Sequence, residues 1–271
     1  KHRKTKLKKE ETKMKNLKKI AAIILSAALV VALAACGSSK DSDSNKSSCK
    51  AGTLTMGTNA SFPPYEYVDD NGNIVGIDAE IAQAIADKLG MKLEIKDMEF
   101  ESLVPAVKAK SIDLALAGMT VTDERKQSVN FSDSYSTGVQ VVIVKENSEI
   151  KTVDDLKGKK IGVQAGTTSD TYCSEDFGEE NVKQFSNGSL AVAALANGQV
   201  DCVVIDNEPA KNYVAANSGL KILDTEYVTE DYAIAISKDN DELLKKVNNA
   251  LKELKEDGTV DKIVGKYIKA E

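Results

Sequence analysis

The segment Asp113 to Tyr135 reads Asp-Leu-Ala-Leu-Ala-Gly-Met-Thr-Val-Thr-Asp-Glu-Arg-Lys-Gln-Ser-Val-Asn-Phe-Ser-Asp-Ser-Tyr, and it is the most informative stretch of the chain. An apolar run ends at Gly118, Thr120 follows, and Arg125 lies in the first turns of a predicted short helix. Backbone N–H groups at a helix start, a hydroxyl and a guanidinium are all groups that bind small anions. Because a guanidinium makes two parallel, charge-assisted hydrogen bonds to a carboxylate, the segment predicts a carboxylate-binding site.

Around this segment, short apolar strands alternate with amphipathic helices. The predicted strands are Leu54–Gly57, Leu93–Ile95, Ile112–Ala117, Val139–Val144, Ile161–Val163, Val182–Phe185, Val200–Ile205, Lys221–Leu223 and Ala233–Ile236. Near-continuous apolar strands that alternate with helices are typical of an α/β fold with parallel sheets covered on both faces.

The helices are predicted from apolar residues at helical spacing. This spacing predicts helices over Asp78–Leu89 and Asp241–Lys255. In the first helix, Asp78 is a candidate N-cap and Gly90 marks the end. The segment Thr152 to Asp155 has a capping-box pattern and predicts a further short helix.

Polar and aromatic residues follow the strands at the points where a cleft is expected. In open α/β sheets, ligands bind outside the carboxyl ends of the strands. The residues that follow four of the predicted strands are Asn59, Phe62 and Tyr65; Gly118, Thr120 and Arg125; Gln164, Gly166, Thr167 and Thr168; and Asp206.

The order of these residues resembles that of a known family. Gly118, Thr120 and Arg125, within the pattern that runs from Leu54 to Tyr267, resemble the signature of bacterial extracytoplasmic amino-acid-binding proteins. These are family 3 solute-binding lipoproteins of polar amino acid ABC importers. The resemblance implies a two-lobed, periplasmic-binding-protein-like (type II) α/β fold with two hinge crossings and the ligand in the cleft between the lobes. The implied limits are 51–134 plus 233–271 for lobe 1 and 140–229 for lobe 2, with crossings near 135–139 and 229–232.

The resemblance also implies a role for each group that faces the ligand's α-carbon. Gly118, Thr120 and Arg125 are expected to bind the α-carboxylate, and Asp206 the α-ammonium. The helix start at Gly166, Thr167 and Thr168 is expected to add the second lobe's contacts to the carboxylate. Three alternatives stay open. Arg125 pairs with Asp123 or Glu124 on an exposed helix, Asp206 only caps the helix that follows it, or the turn at Gly166, Thr167 and Thr168 is a plain N-cap.

The side-chain end of the pocket indicates the class of amino acid. Phe62 and Phe100 are implied as opposite aromatic walls, and Pro63, Pro64 and Tyr65 are further candidates. Asn59 and Gln164 are expected to meet the ligand's side chain. Since no acid stands at either position, a neutral polar amino acid, glutamine-like or cystine-like, is favoured over an arginine-type ligand. A movement of Glu66 into the pocket is the alternative that supplies a counter-charge.

Composition excludes several classes of protein. The sole histidine is His2, so a histidine-based catalytic triad or metal site in the fold is not expected. The chain has 36 basic and 42 acidic residues; ten and two of these precede Cys36, which leaves 26 and 40, a formal charge of −14. So acidic a chain is a poor nucleic-acid binder, and we expect no nucleic-acid partner, no cofactor and no metal.

Cys173 and Cys202 either form a disulfide or are buried thiols.

The N-terminal residues predict export and anchoring. A basic segment precedes a 16-residue apolar run, Ile20 to Ala35, which is shorter than the roughly 20 residues of a membrane-spanning helix. The run ends before Cys36 and resembles a lipobox. Residues 1–35 are therefore predicted to be a signal peptide, with an upstream extension before Met14. Residues 36–50 are predicted to be the lipidated Cys36 and a flexible tether. An uncleaved anchor helix is the alternative.

These expectations describe a monomeric receptor and not an enzyme. It is predicted to be lipid-anchored on the extracytoplasmic face of the cell membrane and to capture a free amino acid. It then delivers that amino acid to an ABC permease and its ATPase. The alternatives are a dehydratase-like enzyme, with Asp206 and Glu66 as its acid and base, and a sensory domain on the same fold.

Overall fold

The computed structural model describes residues 52–269. In chain order the strands are β1 (Thr53–Thr58), β2 (Ser61–Phe62), β3 (Glu66–Val68), β4 (Ile74–Val75), β5 (Lys92–Asp97), β6 (Leu114–Ala115), β7 (Val129–Phe131), β8 (Ser136–Lys145), β9 (Ile161–Gln164), β10 (Val182–Phe185), β11 (Cys202–Asp206), β12 (Leu220–Tyr232) and β13 (Ala235–Ser237). The α-helices are α1 (Ile77–Lys88), α2 (Phe100–Lys108), α3 (Asp123–Lys126), α4 (Thr168–Phe177), α5 (Gly188–Ala196), α6 (Asn207–Ala216), α7 (Asp241–Glu256) and α8 (Thr259–Tyr267), and single 3₁₀ turns cover Val153–Leu156 and Glu179–Asn181.

Two five-stranded sheets organise two lobes. The first sheet has the order β5-β1-β6-β13-β7 and packs against α1, α2 and α7, and α8 packs on α1 and α7. The second has the order β10-β9-β11-β8-β12 and packs against α4, α5 and α6. A small sheet, β2-β3-β4, leads into α1. The strand and helix alternation therefore gives the predicted two-lobed α/β fold.

Both sheets are mixed, so the expectation of parallel sheets is only partly correct. β1 is parallel to β5 and β6, and β9 is parallel to β10 and β11. β13, however, is antiparallel to β6 and β7, and β8 is antiparallel to β11 and β12. The reason is topological: strands that enter directly from the other sheet arrive without the crossover helix that a parallel neighbour requires.

The chain passes between the sheets twice, and the two passages lie side by side. β8 and β12 pair from Ser136, which faces Tyr232. The ladder continues toward the first sheet, where the Tyr135 N–H donates to Tyr232 O at 2.9 Å and the Ser132 N–H donates to Ile234 O at 2.9 Å. The connection between the lobes is therefore a two-stranded ribbon.

Helix α1 connects the core to the cleft through a buried acid. Its N-cap is Gly76 and not Asp78, so the predicted capping role of Asp78 is wrong. Asp78 is fully buried and its Oδ2 accepts hydrogen bonds from the Gly118 N–H at 2.9 Å and the Tyr135 hydroxyl at 2.7 Å. One acid thus ties α1 to the loop after β6 and to the first passage.

Other expectations are met within the described part of the chain. The Thr152 capping box is present, with Asp155 as its partner. Cys173 and Cys202 are buried free thiols in the core of the second lobe. Between residues 52 and 269, no helix is both long and apolar enough to cross a membrane. The predicted signal peptide, Cys36 and the tether lie outside the described residues.

Candidate ligand-binding site

One cavity between the lobes collects the residues that the strand ends predict. The free space in and around it, open solvent at its mouth included, is about 320 Å³. Its wall is formed by Asn59, Phe62, Glu66, Phe100, Ala117, Gly118, Thr120, Arg125, Gln164, Thr167, Thr168 and Asp206. All ten predicted ligand-binding residues are in this set. They converge because β1, β6, β9 and β11 all direct their carboxyl ends toward the cleft.

Arg125 lies at the wall with its guanidinium directed across the cleft. Its Nη1 donates to Thr120 O at 2.8 Å and its Nη2 donates to Gly166 O of the second lobe at 3.0 Å. The guanidinium also lies 5.2 Å from the centre of the Phe100 ring, within cation–π range. Asp123 is instead 3.2 Å from Nζ of Lys126, and the guanidinium of Arg125 bonds to Thr120 O and Gly166 O, so the alternative of a surface pair of Arg125 with Asp123 or Glu124 is wrong. Burial lowers the Arg125 pKa, and the negative charge of Glu230 opposes that shift.

Gly118 brings backbone close to an aromatic wall. It has a φ of 52°, and a Cβ at this position would lie 2.8 Å from the Phe62 ring, so glycine is required on both counts. Its N–H is already bonded to Asp78, which differs from the expected role of this N–H as a carboxylate donor. Asp78 therefore fixes the loop between β6 and Arg125.

Two threonines on the wall bond to an acid that the sequence did not predict. Thr120 Oγ1, from the first lobe, donates to Glu230 Oε2 at 3.1 Å. Thr168 Oγ1, from the second lobe, donates to the same oxygen at 2.8 Å, and Gln140 Nε2 donates to it at 2.9 Å. Glu230 is buried within β12. The sequence does not mark Glu230 as a buried residue, because residues 224–231 around it are almost all polar.

Asp206 occupies the end of β11 with its carboxyl turned inward. It is the N-cap residue of α6 by position, but its side chain makes no capping hydrogen bond, so the capping alternative is wrong. Its Oδ1 accepts from the Tyr232 hydroxyl. Gly138 makes room for this pair, since a Cβ there would lie 2.2 Å from the Tyr232 hydroxyl and 2.6 Å from Asp206 Oδ1.

The start of α4 forms part of the wall, but fewer of its N–H groups are free than expected. The Gly166 N–H donates to Asp170 Oδ2 at 3.0 Å, and the Thr167 N–H donates to Gln164 O at 3.4 Å. Thr167 is also the N-cap, and its Oγ1 accepts from the Asp170 N–H. The helix therefore offers the cavity mainly the first turn from Thr168 onward.

An amide pair in the cavity wall joins the two lobes. Gln164 Nε2 donates to Asn59 Oδ1 at 2.9 Å, and Asn59 Nδ2 donates to Met98 O at 2.9 Å. Glu66 also lines the cavity; it is 1 % exposed and has no hydrogen-bond partner for either oxygen among the described residues. Tyr65, in contrast, is a core residue whose ring packs 5.2 Å from that of Tyr232, and it does not line the cavity.

The arrangement of cleft and lobes matches a known family. Residues 54–270 match the bacterial extracellular solute-binding proteins, family 3. The chain belongs to this family.

Solved structures and curated relatives of this solute-binding protein agree with the fold. The arginine-binding extracellular protein ArtP of Bacillus subtilis (strain 168) is 38% identical over 261 residues, 94% of this chain and 100% of ArtP. An ancestral arginine-binding protein bound to arginine is 48% identical with a TM-score of 0.76, over 80% of this chain and 98% of that one. An ancestral arginine-binding protein bound to glutamine is 47% identical with a TM-score of 0.78, over 82% of this chain and 100% of that one.

The cavity of this solute-binding protein concentrates acids whose pKa values are raised. Burial raises the pKa of Asp206 to about 7, while the Tyr232 hydrogen bond acts in the opposite direction. Burial also raises the pKa of Asp78 to about 6. The pKa of Glu66 lies well above its usual range, first because of burial and then because Asp78 is close. A positive charge placed near such buried acids stabilises their ionised form.

Proposed function

We propose that this solute-binding protein captures a free α-amino acid between its lobes. The observation that carries the proposal is the placement of a guanidinium and an acid, Arg125 and Asp206, on one cavity wall. A zwitterion has one group for each: a carboxylate for Arg125 and an ammonium for Asp206. A ligand that contacts both lobes favours their closed arrangement, since those contacts are complete only when the lobes meet.

Glu66 supports a cationic side chain as the ligand's third group. The sequence favoured a neutral polar ligand because no acid occupies positions 59 and 164, and that preference stays a prediction. Glu66, however, lines the same cavity, and neither of its oxygens has a hydrogen-bond partner among the described residues. Asp78 Oδ1 is also buried without a partner among the described residues. In the empty site, a proton shared by Glu66 and Asp78 reduces the buried negative charge of the two acids. On binding, the positive charge of an arginine-like or lysine-like side chain replaces that proton.

A neutral ligand such as glutamine is the second candidate, and Asn59 and Gln164 support it. Their amides bond to each other across the lobes, and a ligand amide exchanges one such bond for another at little cost. In that case Glu66 keeps its proton and donates to the ligand's carbonyl oxygen.

We further propose delivery of the amino acid to an ABC permease and its ATPase from a lipid anchor at Cys36. Family membership and the lipobox-like residues before Cys36 support this arrangement. The protein is then held at the extracytoplasmic face of the cell membrane by its acyl chains and acts as a monomer without a cofactor.

Calorimetric titration of wild-type protein with arginine, lysine, histidine, glutamine and cystine tests the ligand class. A ligand specific for the native state also raises the thermal midpoint by mass action. We expect the cationic amino acids to bind most tightly. Ligand recovered unchanged after long incubation supports a receptor over an enzyme. If none of the free amino acids binds, the proposed function is wrong.

Glu66→Gln separates the two ligand classes. It should weaken arginine binding by about 2 kcal/mol or more, because the guanidinium loses its buried counter-charge, and should change glutamine binding much less. The matched control is Glu101→Gln, since Glu101 is exposed at the outer opening of the cleft. Equal arginine affinities for wild type and Glu66→Gln would remove the argument for a cationic ligand.

A further inference from the structure

Glu230 holds together three separate parts of the molecule through one oxygen atom. Its Oε2 accepts hydrogen bonds from Thr120 of the first lobe, Gln140 of strand β8 and Thr168 of the second lobe, at 3.1, 2.9 and 2.8 Å. All four side chains are buried. Glu230 itself lies on β12 and is not among the residues that line the cavity, whereas both threonines are.

The hydrogen bonds determine which way each hydroxyl group points. A threonine hydroxyl has one hydrogen to donate and two lone pairs that accept. A carboxylate oxygen only accepts, so Thr120 and Thr168 must both direct their hydrogens toward Glu230. Each hydroxyl therefore has only lone pairs left to offer to the cavity. Both threonines can accept a hydrogen bond from a ligand through that oxygen but cannot donate one.

The amide of Gln140 is fixed in the same way. Its Nε2 donates to Glu230, and its Oε1 accepts from the Ser169 hydroxyl at 2.5 Å. Ser169 follows Thr168 in the first turn of α4. Thr168 is therefore held in two ways: its own hydroxyl bonds to Glu230, and its neighbour Ser169 bonds to Gln140, which in turn bonds to Glu230.

The charge of Glu230 acts on the cavity as well. It opposes the burial-driven fall of the Arg125 pKa, and it raises the pKa of Asp206. The second oxygen, Oε1, is buried without a hydrogen-bond partner in the described part of the chain. The hydroxyl of Tyr172 also faces this acid, and burial followed by the charge of Glu230 raises the Tyr172 pKa to about 12.

We propose that Glu230 is a positioning residue that makes the site selective for an α-ammonium group, because it converts Thr120 and Thr168 into hydrogen-bond acceptors in the cavity that Asp206 also lines. The inference rests on the proposed amino-acid binding and deepens it. A ligand with an ammonium group donates to these oxygens. A ligand with the same carboxylate and side chain, but with hydrogen in place of the ammonium group, leaves them unsatisfied in a buried wall.

The test compares two ligands rather than one affinity. L-arginine and its des-amino analogue, which keeps the guanidinium and the carboxylate, are titrated into each variant by calorimetry, and glutamine with its des-amino analogue serves as a second pair. The dissociation constant of the des-amino analogue divided by that of the amino acid gives a ratio, and a larger ratio means greater selectivity for the ammonium group. A purely structural loss weakens both ligands alike and leaves that ratio unchanged.

Glu230→Met and Glu230→Gln form the decisive pair of variants. Methionine has a similar length but accepts no strong hydrogen bond, so the hydroxyls turn freely and the ratio should fall about tenfold to a hundredfold. Glutamine retains an oxygen that accepts from both threonines, so the ratio should stay within about threefold of wild type. Glu226→Met, at an exposed position of the same strand, is the matched control and should leave the ratio unchanged.

Each outcome bears on the proposal. An unchanged ratio in Glu230→Met overturns it, and so does an equal fall in Glu230→Gln, since that result assigns the effect to charge alone. If Glu230→Met does not fold, Thr120→Val removes one acceptor with Glu230 intact and should lower the same ratio; an unchanged ratio there also overturns the proposal. Failure of wild-type protein to bind any of the amino acids instead overturns the proposed function.

Discussion

Tyr232 donates its hydroxyl hydrogen to Asp206, and this bond joins the end of the second passage between the lobes to an acid in the cavity wall. Tyr232 is fully buried and its ring packs against Tyr65. The position of the Asp206 carboxyl is therefore set by the ribbon between the lobes and not by the helix that follows it.

Gly138→Ala should break this arrangement. A Cβ at position 138 would lie 2.2 Å from the Tyr232 hydroxyl and 2.6 Å from Asp206 Oδ1, distances at which one of the two side chains must move. Overpacking of this kind typically costs about 1–3 kcal/mol of folding stability, and we expect ligand affinity to fall as well, because the Asp206 carboxyl is displaced from the cavity. Calorimetric titration of the variant measures the change.

Gly265→Ala is the matched control for that experiment. Gly265 lies inside α8, and a Cβ there would have no heavy atom within 4 Å. The substitution should leave affinity unchanged and stabilise the fold by about 0.5–1 kcal/mol, because alanine has the higher helix propensity. Equal affinities in the two alanine variants would contradict the assigned role of Gly138.

Arg125→Ala should lower ligand affinity by about 2–5 kcal/mol, because a desolvated carboxylate then lacks its partner. The comparison variant is Lys126→Ala, which removes only an exposed pair with Asp123 and should change affinity little. Circular dichroism and thermal melts should show both variants folded. Retention of wild-type affinity by Arg125→Ala would remove Arg125 from the site.

Ligand affinity should increase with pH between about 5 and 8. The Asp206 pKa is raised from 3.8 to about 7 in the empty site, so the acid is mostly protonated at pH 5 and must lose its proton to bind an ammonium group. Binding therefore releases a proton, which calorimetry in buffers with different ionisation enthalpies measures directly. Affinity that does not change over this range would show that Asp206 does not bind the charged group.

The stability of the empty protein should change in the opposite direction. The folded pKa of Asp206 and that of Asp78, about 7 and about 6, both lie above the usual value of 3.8. The native state then binds more protons than the unfolded chain, so the free energy of unfolding should fall as pH rises from about 4 to 7. Thermal melts without ligand across this range check the sign, and a rising midpoint would contradict it.

Cys36→Ala should release the protein from membranes if acyl chains hold it there. The apolar run before Cys36 is short for a spanning helix, so loss of acylation should remove the main source of membrane affinity. Fractionation of cells that express the wild type and the variant, followed by blotting, measures the distribution. A variant found wholly in the membrane pellet at full precursor length would favour an uncleaved anchor helix.

Much of the site could be predicted because its residues directly follow apolar strands. Thr120, Arg125, Gln164 and Asp206 each come shortly after a run of buried residues, and such runs are visible in one sequence. The convergence of their side chains follows from the common direction of the strands. The local sequence pattern and the direction of the strands were therefore enough to predict which strand-end residues reach the cavity.

Glu230 and Asp78 were beyond this approach, because their positions depend on distant contacts. Glu230 lies in a polar stretch of β12 that the prediction ended at Leu223, yet pairing with β8 continues the strand to Tyr232. β12 is the edge of its sheet, and an edge strand tolerates polar residues that a central strand does not. Asp78 resembles a helix cap in sequence, and only the fold shows that its side chain is turned into the core.

The two-stranded ribbon limits the kinds of motion that the lobes can make. Had the passages been separate linkers, each lobe could swivel about either one. Because β8 and β12 share a hydrogen-bonded ladder, a change in one strand's backbone angles is transmitted to the other. We therefore expect the lobes to open mainly by a bend of the ribbon about a single axis. The mouth of the cleft then parts along one arc, and we expect a ligand to enter and leave by the same route.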